Sequence, residues 1–180
     1  FSFNINAQKG RDEALNKLDT QIKFYGDIAH TIWNYAEMGY QEEKSSFLLQ
    51  ETLKNEGFKI ESGVAGMPTA FIAEYGSGSP IIGVLGEYDA LPGLSQQAVP
   101  KKSSAGAKAG HACGHHLFGT ASTAAAISIK NWLKENNITD VIKKQTAISV
   151  AHPMRTADWQ IFCQHHQIQA PKNTLVLSNT

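Results

Sequence analysis

The chain has 180 residues and is 42% hydrophobic, which supports one soluble domain with a sizeable core. Lys+Arg and Asp+Glu balance at 16 each, leaving no electrostatic footprint for nucleic acid or an anionic membrane, and neither is expected as a partner. No apolar run reaches the roughly 18 residues of a spanning helix, and Cys113 and Cys163 do not make a disulfide scaffold.

Residues 1–8 lack an initiator Met and carry a small residue, Ala7, of the kind signal peptidases leave at a cut. They read as the tail of an export signal, which implies a periplasmic or secreted protein, or as a short disordered leader, which leaves the cytoplasm as the compartment. From 12 to 37, Leu15, Leu18, Ile22, Tyr25, Ala29, Ile32, Trp33 and Ala36 recur at helical spacing, and Gly39 ends the predicted helix. A second helix is expected over 42–56, with Phe47, Leu48, Leu49 and Leu53 apolar and Gly57 just past its end. Glu42 and Glu43 fall in its first turn, where the macrodipole favours them, and read as structural.

Short strands are expected at 58–60 and 69–75, separated by the glycine-rich stretch 63–68. Ile81-Ile82-Gly83-Val84-Leu85 has no polar alternation and predicts a central strand covered on both faces. Chemistry is expected beyond its carboxyl end, which reads Gly86-Glu87-Tyr88-Asp89-Ala90-Leu91-Pro92-Gly93. Glu87 and Asp89, spaced by two, can face one side, where a carboxylate binds metal or holds a ligand histidine by its second ring nitrogen. Residues 96–108 are small and polar and read as a loop over the site or a solvated excursion.

Gly110-His111-Ala112-Cys113-Gly114-His115-His116 packs a thiol and three imidazoles into a few residues. An extended backbone would point His111, Cys113 and His115 the same way, whereas a helix would put His111 and His115 on one face. The flanking glycines favour irregular backbone, and Cys113 with His115 is the preferred ligand pair. A thiolate with an imidazole suits zinc first, with manganese or cobalt as alternatives. A nucleophilic Cys113 activated by His111 or His115 is the rival chemistry, disfavoured because the Cys-Gly-His spacing gives the imidazole no independent approach to the thiolate. A third helix is expected over 116–136, so the ligand-rich segment lies at a helix N-terminus, and a further strand is expected near 146–150.

The segments Gly86-Glu87-Tyr88-Asp89-Ala90-Leu91-Pro92-Gly93-Leu94-Ser95-Gln96 and Gly110-His111-Ala112-Cys113-Gly114-His115-His116-Leu117-Phe118-Gly119 closely resemble the M20 metallopeptidase/amidohydrolase family, in its aminobenzoyl-glutamate hydrolase branch. Further similarity runs through 32–42 and 63–71, and the resemblance covers about residues 12–137. It implies an α/β, zinc-peptidase-like catalytic domain with a mixed sheet and flanking helices, incomplete at the C-terminus. It also implies a two-metal site that hydrolyses amide bonds of N-acyl amino acids or small peptides, with a small-molecule amide or peptide as partner. Carried over by motif, Cys113 and His115 are metal ligands, Asp89 is the catalytic acid that orients the site, and Glu87 stands in a supporting position.

The resemblance further implies a later Glu-Glu pair, additional histidine ligands and an inserted dimerisation domain. After Glu135 the chain has no glutamate, only Asp140 and Asp158 as acids, and His152, His165 and His166 fit no family motif. The expected organisation is therefore a leader at 1–8, the first part of an M20-type domain at 9–138, and a divergent tail at 139–180. An inactive fragment with weak metal affinity is the alternative to an active hydrolase.

Overall fold

The computed structural model describes the backbone of residues 3–77, 81–136 and 144–149 and the side chains of 10–77 and 81–136. The tail residues Asp158, Cys163, His152, His165 and His166, with Asp140, lie outside the described residues. The elements are α1 (Phe3–Thr20), α2 (Ile22–Tyr35), α3 (Glu43–Asn55), β1 (Lys59–Ser62), β2 (Phe71–Gly76), β3 (Ile81–Gly86), β4 (Leu91–Pro92), β5 (Ala109–Gly110), α4 (His115–Glu135) and β6 (Lys144–Ser149). No helix among the described residues is long and apolar enough to cross a membrane.

Four strands form a mixed sheet in the order β1-β2-β6-β3. β1 and β6 run antiparallel to β2, and β3 runs parallel to β6, which brings Gly86 level with Ser149. The helices supply the core against it. Ile28 and Ile32 of α2, Leu49 and Leu53 of α3, Phe71 and Ala73 of β2, Tyr88, and Ala126 and Ile127 of α4 are buried in one cluster. The mixed α/β architecture with flanking helices is the one the sequence leads to.

Two expectations need correction. The first helix is two: the chain breaks at Gln21, whose N–H donates to the Leu18 carbonyl at 2.9 Å while its carbonyl starts the next ladder at Tyr25. Leu15 and Ile22 are consequently exposed, because the apolar positions on either side of the break no longer share a face. The first turns of α1 lie in the residues read above as a leader, and α2 stops at Ala36, which takes a left-handed conformation (φ 44°), before Gly39 is reached.

The second correction concerns β3. It is an edge strand among the described residues, and Ile81, Ile82 and Leu85 are about two fifths exposed (43%, 36% and 42%). An unbroken apolar run records that a strand favours burial, not which elements supply it. Here α4 packs along β3, with the Ser122 hydroxyl donating to the Leu85 carbonyl at 2.5 Å.

Three polar contacts fix the helices where the site needs them. Glu37 caps α3 from upstream, accepting from the Lys44 and Ser45 N–H groups at 3.1 and 2.9 Å and from the Ser45 hydroxyl at 2.8 Å, which satisfies donors left open at the helix start. The Glu37 carbonyl accepts from the Ala90 N–H at 2.7 Å, and Met38 bridges Ala90, so the α2–α3 connection is tied to the segment after β3. At the other end of α3, the buried Lys130 ammonium donates to the Glu56 carbonyl at 2.8 Å and to its carboxylate at 2.7 Å. A buried lysine is tolerated there because it is paired and meets the negative end of the helix.

The approach of α4 to the segment after β3 is set by Gly119. A Cβ on Gly119 would stand 2.8 Å from the Glu87 carbonyl oxygen and 3.2 Å from Tyr88 Cβ, whereas a Cβ on Gly26 in α2 would meet nothing within 4 Å. Both glycines are helical, so alanine improves propensity at each by about 1 kcal/mol. Urea unfolding should therefore show Gly26→Ala stabilising by about that amount, and Gly119→Ala destabilising by about 1–2 kcal/mol, because overpacking against fixed backbone outweighs the propensity gain.

Candidate metal centre

Beyond Gly86, residues 87–89 have no regular secondary structure; Glu87 and Asp89 both reach His115, while Tyr88 between them is buried in the core. Glu87 and Asp89 are largely shielded, with side chains 16% and 5% exposed. β4 pairs with β5, placing Leu91 opposite Gly110 and Pro92 opposite Ala109. Gly110 is needed at that crossing: a Cβ there would lie 2.1 Å from the Leu94 carbonyl oxygen.

After β5 the chain turns at His111 to Gly114, with the Gly114 N–H donating to the His111 carbonyl at 3.2 Å. Gly114 takes φ +76°, a left-handed conformation that suits glycine, and α4 begins at the next residue. His115 is thus the first residue of α4. Its Nδ1 lies 2.7 Å from Asp89 Oδ1 and its Nε2 3.1 Å from Glu87 Oε2. The three side chains present ligand atoms that all lie within 4.8 Å of one another.

The donor set fits a divalent cation. Asp89 accepts the Nδ1–H of His115, and Nε2 faces a Glu87 oxygen at 3.1 Å, a separation that a proton on Nε2 or a cation between the two atoms would bridge. A carboxylate on the far nitrogen of a ligand histidine is the usual way such a ring is oriented.

The other two histidines are buried packing groups. His111 Nε2 donates to the Ile32 carbonyl at 3.1 Å, and burial pushes its pKa below the usual histidine value. His116 meets the Trp33 ring edge-on at 4.9 Å and the His111 ring at 5.0 Å. Burial, with His111 and His115 nearby, lowers its pKa to about 4. Both rings are neutral at pH 7 and hold the 111–114 turn against α2.

The backbone therefore follows neither single pattern considered for the motif. His111 turns inward, His115 begins the helix, and Cys113, between them on the turn, is exposed and outside the group that Glu87, Asp89 and His115 form. The structure brings His115 to Asp89 and equally to Glu87, where the sequence pairs His115 with Cys113 and names no particular histidine for the carboxylates. The signal for Glu87 was its spacing of two from Asp89. Glu37, which anchors Ala90, carried no signal in the sequence, because its partners lie on α3 and beyond β3.

No protein-family model matches the chain. It is 47% identical over 113 residues, 62% of its length, to a p-aminobenzoyl-glutamate hydrolase subunit of Escherichia coli strain K12, of which it covers 24%. A solved dinuclear metal-binding peptidase of the M20 family from Bacillus subtilis superposes with a TM-score of 0.55 at 22% identity, over 71% of this chain and 34% of that one. The described segment has the M20 fold. A protein from methicillin-resistant Staphylococcus aureus described as an aminohydrolase superposes with a TM-score of 0.62 at 18% identity, over 77% of this chain and 34% of that one. The chain spans about a quarter of the length of the curated relatives it matches.

Glu42 sits behind this cluster. It is fully buried at the N-cap of α3 and accepts a hydrogen bond from the Thr69 hydroxyl at 2.7 Å, a structural contact besides its place at the helix start. Burial above all, with Asp89 adding repulsion, raises its pKa above the usual carboxylate value. A raised folded pKa means that the folded state holds the Glu42 proton more tightly than the unfolded chain does. Its stabilising contribution is complete below about pH 4 and is lost as pH rises through the folded value. Glu42→Gln removes that titration, so denaturant melts from pH 4 to 7 should show stability shifting progressively in favour of the variant, by about 1.4 kcal/mol per unit of pKa shift.

Proposed function

We propose that Glu87 and His115, with Asp89 holding the far ring nitrogen of His115, bind a divalent metal for the hydrolysis of amide bonds in N-acyl amino acids or small peptides, with p-aminobenzoyl-glutamate as the representative substrate. The observation that carries this reading is His115 set between two shielded carboxylates at 2.7 and 3.1 Å. It lies in a chain with 47% identity to part of a p-aminobenzoyl-glutamate hydrolase. Carboxylate and imidazole donors suit zinc or manganese. When bound, the ion supplies Lewis-acid activation of the substrate carbonyl and of water.

The chain's own residues do the rest of the positioning. Asp89 holds the Nδ1–H of His115, and Glu87 stands across from Nε2, so both His115 nitrogens have assigned tasks. Cys113 lies two residues away at the exposed rim of the turn, where a movement of the 111–114 backbone would bring a thiolate to the same ion.

Two measurements test the proposal. Isothermal titration of the purified chain with zinc or manganese should show binding that His115→Ala weakens by about 100-fold or more, since one of few ligands is lost. In the cobalt-loaded protein, a sulfur-to-metal charge-transfer band that disappears in Cys113→Ala would assign Cys113 to the ion; its absence leaves carboxylate and imidazole ligands. The metal-loaded chain should release p-aminobenzoate from p-aminobenzoyl-glutamate faster than the chelator-treated control, with His115→Ala at background. Binding without turnover would instead support the inactive-fragment reading, and no metal binding would remove the proposal altogether.

A further inference from the structure

We infer that Tyr88 is a positioning residue for the metal centre: its phenol, bonded to the Thr69 carbonyl, fixes the backbone from which Glu87 and Asp89 reach His115. The inference rests on the reading of that cluster as a metal site. Tyr88 is completely buried, its hydroxyl donates to the Thr69 carbonyl, and its ring stacks on Phe71 with centroids 6.2 Å apart. Because Tyr88 lies between the two acids in the chain and is held in the core while they reach His115, a backbone rotation that moved the carboxylates would swing the Tyr88 ring out of this slot. Asp89 has an anchor on each side, the Tyr88 hydroxyl before it and the Ala90 N–H bonded to the Glu37 carbonyl after it.

The Thr69 carbonyl is held independently of the site. The Ser46 hydroxyl of α3 donates to the same oxygen at 2.6 Å, and the Thr69 hydroxyl donates to Glu42 at 2.7 Å. One carbonyl thus receives two buried hydroxyls, one leading to the metal centre and one leading to α3. Removing the Tyr88 hydroxyl while keeping its ring leaves Thr69 satisfied by Ser46 and the core filled. The loss then falls on the site side alone.

That symmetry provides the control. Wild type, Tyr88→Phe and Ser46→Ala would each be titrated with zinc and with manganese by calorimetry, and their unfolding midpoints compared. Tyr88→Phe should weaken metal affinity by about tenfold or more, the effect of removing an outer partner that orients ligands, while Ser46→Ala stays within about twofold of wild type. Both should lower the unfolding midpoint by similar small amounts. Wild-type affinity in Tyr88→Phe would overturn the inference, as would equal weakening in both variants or a Tyr88→Phe protein that does not fold, since each makes the bond merely structural. A wild-type chain that binds neither metal would overturn the metal-centre reading itself, a result distinguishable from all of these.

Discussion

The arrangement depends on how closely the start of α4 approaches the segment after β3. His115 reaches Asp89 and Glu87 only because the helix can lie almost against that backbone, and the space is a missing side chain. At Gly119 a Cβ would lie within 3.3 Å of Leu49 as well as close to Glu87 and Tyr88, so one glycine sets the distance between α4, α3 and the site segment together. Gly114, left-handed at the helix boundary, then aims the first turn so that position 115 faces the carboxylates and position 116 faces Trp33.

Around this contact the polar groups divide by their surroundings. His111 and His116 are kept neutral by burial and serve as packing rings, although in composition they are indistinguishable from His115. The only histidine of the motif given carboxylates is the one at the helix start. The same division holds for the acids: Glu37 is used for a helix cap, Glu42 for a buried hydroxyl, and Glu87 and Asp89 for the cluster.

Local pattern was enough for the elements and for part of the site. The apolar spacing of α2, α3 and α4, the Gly57 stop and the strand at 71–76 all follow from residue types a few positions apart. The spacing of two between Glu87 and Asp89 likewise placed them on one side of a strand end, and the M20-like motifs matched the fold found. What escaped was set by distant partners. The apolar run of β3 could not say that only α4 would pack on it among the described elements. The break at Gln21 interrupts a pattern that is periodic on both sides. The outward turn of Cys113 follows from the inward hydrogen bond of His111 to Ile32, a contact across 79 positions.

Electrostatics explains why such a cluster would be retained. Two carboxylates with ligand atoms within 4.8 Å of each other repel by on the order of 3 kcal/mol at the effective dielectric of a protein site, and their shielding from water removes part of the hydration that would offset it. The His115 ring stands between them, 2.7 Å from Asp89 and 3.1 Å from Glu87. The anchors at Tyr88 and Ala90 hold the segment that carries both carboxylates. A divalent cation between them would be attracted to both carboxylates, so the same geometry that brings the acids together is the one the proposed metal site uses.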